Sequence, residues 1–439
     1  MTGSHRLARL ASTLAAAATV CAQADITRQS TQAPAPIPVQ DAPLTLQRAL
    51  ELFLQQNLDL AASAQDVRAA EALARQSAAR PNPELELEVE DFGGTDDLRG
   101  FDAATTTARI SLPLEIGGKR SRRREVASAE SRLASWEHEA MRRDKIAQTQ
   151  RDFVDVLAAQ ERVALGEASL SLAEALLANA DARVKAGKVS ELERSKAEVE
   201  VSSARIERDR ARRELEVHRR RLAANWGDRT ARFPKAAGSL ETLREAGATN
   251  ALAANLELMP EVARWADEIA ASQGRVAVEE ASRTPDITLS AGVSRAEEDG
   301  STAFIAGFSI PLPIFDRNAG NVDAAREAAR GVEHRQRAAR LSAETTLAEI
   351  LDRIETARAE AVALRDTLLP AARQAFEAAQ TGCEQGKFAF IDVIDAQRTL
   401  VEARTRLLDA LANYHKAHIE LERLTGAPFA AFDESNDAI

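Results

Sequence analysis

Aromatic side chains are scarce in this chain. They make up 4% of its 439 residues, with a single tyrosine. A thick globular core needs bulky fillers, so the scarcity excludes large sandwich or α/β domains and favours long helices packed through small residues. Cysteine occurs twice, at Cys21 and Cys383. Cys21 falls in a leader-like segment, which leaves one thiol and no intramolecular disulfide in the mature chain. No apolar run of 18 residues follows that leader, so no transmembrane helix is expected.

Catalytic patterns are missing as well. There is no G-x-S-x-G, no P-loop, no H-E-x-x-H and no paired C-x-x-C. No enzyme and no cofactor are expected. The histidines beyond the leader are His138, His218, His334, His415 and His418. Only His415 and His418, three apart on a helix, could share a ligand, and no third ligand accompanies them, so no metal centre is expected. The 57 basic and 68 acidic residues are interspersed along helical stretches. Without a basic block and stacking aromatics, nucleic acid is not an expected partner.

What is present begins with an export signal. Arg6 and Arg9 precede an apolar run from Leu10 to Val20, and Ala22-Gln23-Ala24 supplies the small-x-small pattern of a cleavage site. Residues 1–24 read as a signal peptide cut after Ala24. Cys21 raises the alternative of lipidation, which the preceding Ala18-Thr19-Val20 fits poorly. Residues 25–43 are Pro-rich and polar and read as a linker.

The chain then says the same thing twice. ISLPLEIGG at 110–118 returns as FSIPLPIFD at 308–316, Asn57-Leu58-Asp59-Leu60 returns as Asn255-Leu256-Glu257-Leu258, and VKAGK at 184–188 returns as CEQGK at 383–387. The spacing, 198 or 199 residues each time, is far longer than a solenoid period. It describes two copies of one large unit, 44–227 and 255–427, joined by an irregular segment with a short helix at 228–254 and followed by a tail at 428–439.

Each copy opens with a helix; the first is expected from about 44 to 80, stopped by Pro81-Asn82-Pro83. Period-two segments follow. Glu84 to Glu90 alternates strictly. Residues 105–112, 287–293 and 304–310 alternate too, and polar loops at 91–104 and 296–302 join them in pairs. These are hairpins, at 83–116 and 285–314. An isolated two-stranded hairpin is marginal in water, and each strand has about the length that crosses a membrane at a tilt. Four strands cannot close a barrel, and lipid does not tolerate open edges. Three chains would supply twelve strands. With Leu85, Leu87 and Val89 facing lipid, Glu84, Glu86, Glu88 and Glu90 would line the pore, a field that favours cations.

Two helical stretches of nearly 70 residues come next, at 118–185 and 317–384, each about 100 Å long at 1.5 Å per residue. Pro370 should kink the second. Each turns at a glycine, Gly187 or Gly386, into a return helix at 190–225 or 388–426. Just past the second turn, Asp392 and Asp395 share a helix face; stacked acidic rings around a three-fold axis and a simple charge-favoured helix start are both open readings. The cations Lys119, Arg120, Arg122, Arg123 and Arg124 follow the second strand, where lipid phosphate or plain solvent could meet them.

Three stretches carry a family likeness: LTLQRALELFLQQNLDLAAS, the two strand-to-helix joints, and GKFAFIDVIDAQRTLVEARTRLLDALANYHKAHIELERLTG. Over about 44–427 the chain resembles the outer-membrane efflux protein (TolC) family. ISLPLEIGGKR looks most like the branch serving cobalt–zinc–cadmium-type heavy-metal exporters. The resemblance implies a mainly α fold with a small β part. It implies a homotrimer with a twelve-stranded barrel in the outer membrane and a helical tunnel in the periplasm. It implies a passive exit duct, docked to a periplasmic adaptor and an inner-membrane pump of the resistance-nodulation-division class. By it, Asp392 and Asp395 match an acidic gate, and Lys185, Gly187, Lys188, Gln385, Gly386 and Lys387 lie in the tips that meet the adaptor. The alternative is a periplasmic coiled-coil adaptor without a pore.

Overall fold

The computed structural model describes residues 42–187, 189–243 and 259–426, the side chain of Asp97 excepted. The signal peptide, Cys21, nearly all of the linker, Lys188, Asn255 to Leu258 and the tail lie outside the described residues.

The opening helix is two helices, not one. α1 (Leu46–Gln56) is capped by Thr45, whose Oγ1 accepts from the Arg48 N–H at 3.2 Å. Asn57 then adopts an extended backbone and starts α2 (Leu58–Ser77), its Oδ1 accepting from the Leu60 N–H at 2.8 Å. Its Nδ2 donates to the Asn225 carbonyl at 2.7 Å. A side chain that satisfies a free helical N–H competes well with helix continuation, so the break falls at asparagine.

β1 (Glu84–Glu90) and β2 (Thr105–Leu114) form the first hairpin, and β3 (Ile287–Ala296) and β4 (Thr302–Ser309) the second. The hairpins are not separate. β2 pairs with β3 along its whole length, giving one antiparallel sheet in the order β1-β2-β3-β4. Ile310, expected in the fourth strand, lies just beyond it.

α3 (Lys119–Lys185) runs unbroken for 67 residues, about 100 Å. α4 (Glu191–Ala224) returns along it. The two approach closely at Gly166, where a Cβ would sit 3.1 Å from the Cα of Arg208. In the second repeat, α5 (Pro260–Ala263) and α6 (Trp265–Ser282) precede the sheet. α7 (Ala319–Ala363) and α8 (Leu369–Glu384) then form the long arm, and α9 (Phe390–Thr425) returns. Pro370 leaves its mark as a π-helical segment, Leu364–Leu368, immediately before α8. Proline has no N–H to donate, and the widened turn accommodates the missing bond.

The two repeats join along α3 and α9, which run antiparallel. Arg151 pairs with Glu420 at 2.8 Å, Lys416 with Asp155 at 2.5 Å and Arg423 with Asp144 at 3.0 Å, and Arg162 pairs with Asp409. At this level Phe153, Val154, Val156, Leu157, Ala158 and Ala159 are all buried. A helix apolar on every side must be covered on every side. Part of the cover comes from the segment after α4. Its Ala236 exchanges two hydrogen bonds with the Gln160 amide, at 2.7 and 3.0 Å, and pairs with Leu44. The described part of that segment, 228–243, holds no helix, and the rest of 228–254, over which a short helix was expected, lies outside the described residues. Among the described residues no helix is long and apolar enough to cross a membrane.

Candidate functional site

The sheet is the first functional element. Directly paired residues on antiparallel strands share a face, so the register assigns both faces. Leu85, Leu87 and Val89 lie with Ala108, Ile110 and Leu112, then with Leu289, Ala291 and Val293, then with Phe304, Ala306 and Phe308. This apolar face has no cover: Leu85 is 72% exposed and Phe304 90%. Glu84, Glu86, Glu88 and Glu90 share the other face with Thr105, Thr107, Arg109 and Ser111, then with Thr288, Ser290, Gly292 and Ser294. Ile305 is the large apolar exception there. The acidic row is not purely acidic. Arg109 Nη1 lies 3.4 Å from Glu86 Oε2, a partner that strand alternation alone did not single out. β1 and β4 are both edges. An exposed apolar sheet of this size, open at both sides, is unsuited to water.

The joints below the sheet are built alike. Gly118 (φ +76°) and Asn318 (φ +56°) precede α3 and α7 in left-handed backbone, which those two residue types adopt at little cost. Phe315, beside the second joint, is 98% exposed.

At the far end the two tips also match. α3 ends at Lys185, and Gly187 (φ +66°) makes the turn. α8 ends at Glu384, Gln385 caps it, and Gly386 (φ +73°) makes the turn. The Lys387 N–H donates to the Gly382 carbonyl at 2.8 Å, and a Cβ on Gly382 would collide with the Phe388 ring at 2.1 Å. The side chains of Lys185, Gln385 and Lys387 are exposed.

Asp392 and Asp395 lie in the first turns of α9 and both are exposed. Asp392 Oδ2 accepts from the Ala389 N–H at 2.9 Å, so this residue also caps the helix. The structure adds a contact that sequence reading missed. Arg398 Nη2 reaches Glu200 Oε2 at 2.6 Å, tying α9 to α4. No pairwise signal in the repeat marked it, since past the tips the offset is 199 and Arg398 corresponds to Val199, the neighbour of Glu200.

The two histidines that could share a ligand, His415 and His418, are both buried. His415 is fully buried, and its Nε2 lies 2.9 Å from the Leu240 carbonyl, so that nitrogen carries the proton. Burial lowers its pKa. His418 packs edge-on to Tyr414. Among the described residues no group of three metal-ligating side chains comes together.

A sheet with one bare apolar face, set at one end of helical hairpins of this length, defines a class of membrane-inserted export protein. The chain matches the outer membrane efflux protein family over residues 49–228 and 251–427, and it belongs to that family. It is 36% identical to the cobalt-zinc-cadmium resistance protein CzcC of Cupriavidus metallidurans, covering 88% of this chain and 90% of that one. A crystal structure of a membrane protein from Pseudomonas aeruginosa is similar with a TM-score of 0.75 at 22% identity, covering 88% of this chain and 91% of the other. The open state of the Neisseria gonorrhoeae MtrE outer membrane channel is similar with a TM-score of 0.72 at 18% identity, covering 87% and 89%. The two structural likenesses concern the fold. The protein is an outer-membrane component of efflux, with its helical hairpins extending into the periplasm.

Proposed function

We propose that three copies of this chain assemble into one passive exit duct, its twelve strands forming a closed barrel and its helical hairpins a tunnel. The observation that carries this reading is the sheet. Its apolar face is bare, its polar face is lined by carboxylates and hydroxyls, and both of its edges await strands. Closure by two sister copies satisfies edges and face together, which lipid demands. The duct performs no catalysis.

The cargo is a divalent heavy-metal cation, a reading supported by the likeness to a cobalt-zinc-cadmium resistance protein. Glu84, Glu86, Glu88 and Glu90 line the barrel, moderated by Arg109. Asp392 and Asp395, repeated around the three-fold axis, form two acidic rings that gate the tunnel mouth. The tips, at Lys185, Gly187, Lys188, Gln385, Gly386 and Lys387, meet a periplasmic adaptor, which links the duct to an inner-membrane pump of the resistance-nodulation-division class. The alternative, a poreless adaptor, needs further β-domains; every strand among the described residues belongs to the one sheet.

Purified protein reconstituted in planar bilayers tests the reading. The expected result is a trimer by native mass spectrometry and discrete, cation-preferring conductance steps. A detergent-free, water-soluble folded monomer would overturn it.

A further inference from the structure

The five cations at the start of α3 are not equivalent. Lys119 Nζ lies 2.8 Å from Asp286 Oδ1, and Arg122 Nη1 lies 3.0 Å from Glu125 Oε2. Arg123 grips both carboxylate oxygens of Glu115. Each of these three is neutralised by a named acid. Arg120 and Arg124 have no such partner among the described residues. They stand four apart and so share one face of the helix. That face opens on a cleft of about 700 Å³, and Arg80, from the segment between α2 and β1, lines the same cleft without an ion pair. Leu112 and Leu114, where the apolar face of the sheet ends, line the same cleft. They are 40% and 39% exposed.

Three uncompensated guanidinium groups around one concavity repel one another unless an anion joins them. Guanidinium forks match phosphate oxygens in geometry as well as charge. A free anion would gain nothing from the leucines, whereas a molecule with a phosphate at one end and hydrocarbon at the other uses both the arginines and the leucines. We infer that the cleft binds the headgroup phosphate of an anionic glycerophospholipid, with an acyl chain lying along Leu112 and Leu114. The inference rests on the membrane reading of the sheet, and it assigns the cleft to the leaflet nearer the helical tunnel.

The second repeat lacks the site. Counting from Gly118 and Asn318, which begin the two long arms, Arg120 and Arg124 correspond to Gly320 and Ala324. Arg283, four residues before β3 as Arg80 is before β1, donates instead to the Arg317 carbonyl at 3.1 Å. There is therefore one lipid site per chain.

The test uses the full mature chain in nanodiscs of phosphatidylethanolamine doped with phosphatidylglycerol, followed by native mass spectrometry of the released assembly. The wild type should retain one phosphatidylglycerol per chain in preference to phosphatidylethanolamine. In Arg80→Gln/Arg120→Gln/Arg124→Gln the affinity should fall about 5-fold for each charge removed. The corresponding triple lysine variant should keep the lipid, as should Arg122→Gln/Arg123→Gln, whose cations are already paired. Equal retention by the wild type and the triple glutamine variant would overturn the site. So would equal retention of the two lipids by the wild type, or loss of the lipid to inorganic phosphate alone. A wild type that fails to enter the bilayer would overturn the channel reading together with this one; entry without lipid preference would overturn the lipid site only.

Discussion

Arg398 and Glu200 lie on the return helices of the two repeats, one residue out of exact correspondence and 198 residues apart, and their side chains meet at 2.6 Å. Repeats set side by side place corresponding residues at one height. In a three-fold assembly arginine and glutamate would then alternate around the tunnel near its mouth.

Breaking that pair should loosen the mouth more than it destabilises the fold. Arg398 is largely exposed, so the pair is worth about 1 kcal/mol or less. Arg398→Ala should raise leak conductance in planar bilayers, and Glu200→Arg/Arg398→Glu should restore it. Additive effects of the single changes, with no recovery in the swapped double variant, would show the contact to be incidental.

Asp392 caps its helix and is proposed to supply gate charge, and substitutions can separate the two. Asp392→Asn/Asp395→Asn removes charge and keeps an acceptor for the Ala389 N–H. Asp392→Ala/Asp395→Ala removes both. Block of the channel by divalent cations should be relieved in each pair. Thermal stability should fall by about 1 kcal/mol only with alanine, the usual cost of a lost cap. Unchanged block in both would count against an acidic gate.

Arg109 offsets one of four carboxylates on the polar face of β1. Arg109→Gln should therefore increase preference for cations, read as a shift in reversal potential across a salt gradient, and Glu86→Gln should decrease it. No shift in either would mean the barrel is too wide for wall charges to be felt.

His415 gives the protein a sensitivity to acid. Burial holds its native pKa below 6.5, its ordinary value, while the unfolded histidine titrates normally. Below about pH 6.5 the unfolded state thus binds more protons, and stability falls with pH by up to about 1.4 kcal/mol per unit until the native ring also charges. The cost should appear first where the ring holds the segment before Leu240. The protection factors of residues 236–242, which correct for the intrinsic slowing of exchange in acid, should fall between pH 7.5 and 5.5, and His415→Gln should flatten that dependence. Identical protection factors at both pH values would contradict the role.

Much of this was legible in the residues. The Glu84-to-Glu90 alternation announced a two-faced strand, and the repeat of VKAGK as CEQGK announced matching tips, because period and glycine punctuation are local properties. The helix break at Asn57 was less visible, since its capping role depends on being held by Asn225, 168 residues away. The pairing of β2 with β3 was likewise hidden: hairpin loops advertise neighbours in sequence, and this pair lies across two long helices and the linking segment between the repeats.

From the residues alone come the long helices, the four strands and their faces, and the doubling of the unit, because each is written in a periodicity that any short window reveals. Which charges remain free is a different matter. Lys119 is neutralised by Asp286 and Arg398 by Glu200, while Arg120 and Arg124 have no such acid among the described residues. Only the tertiary structure decides this, since ion pairs form across a few ångströms of space between residues that the chain itself sets far apart.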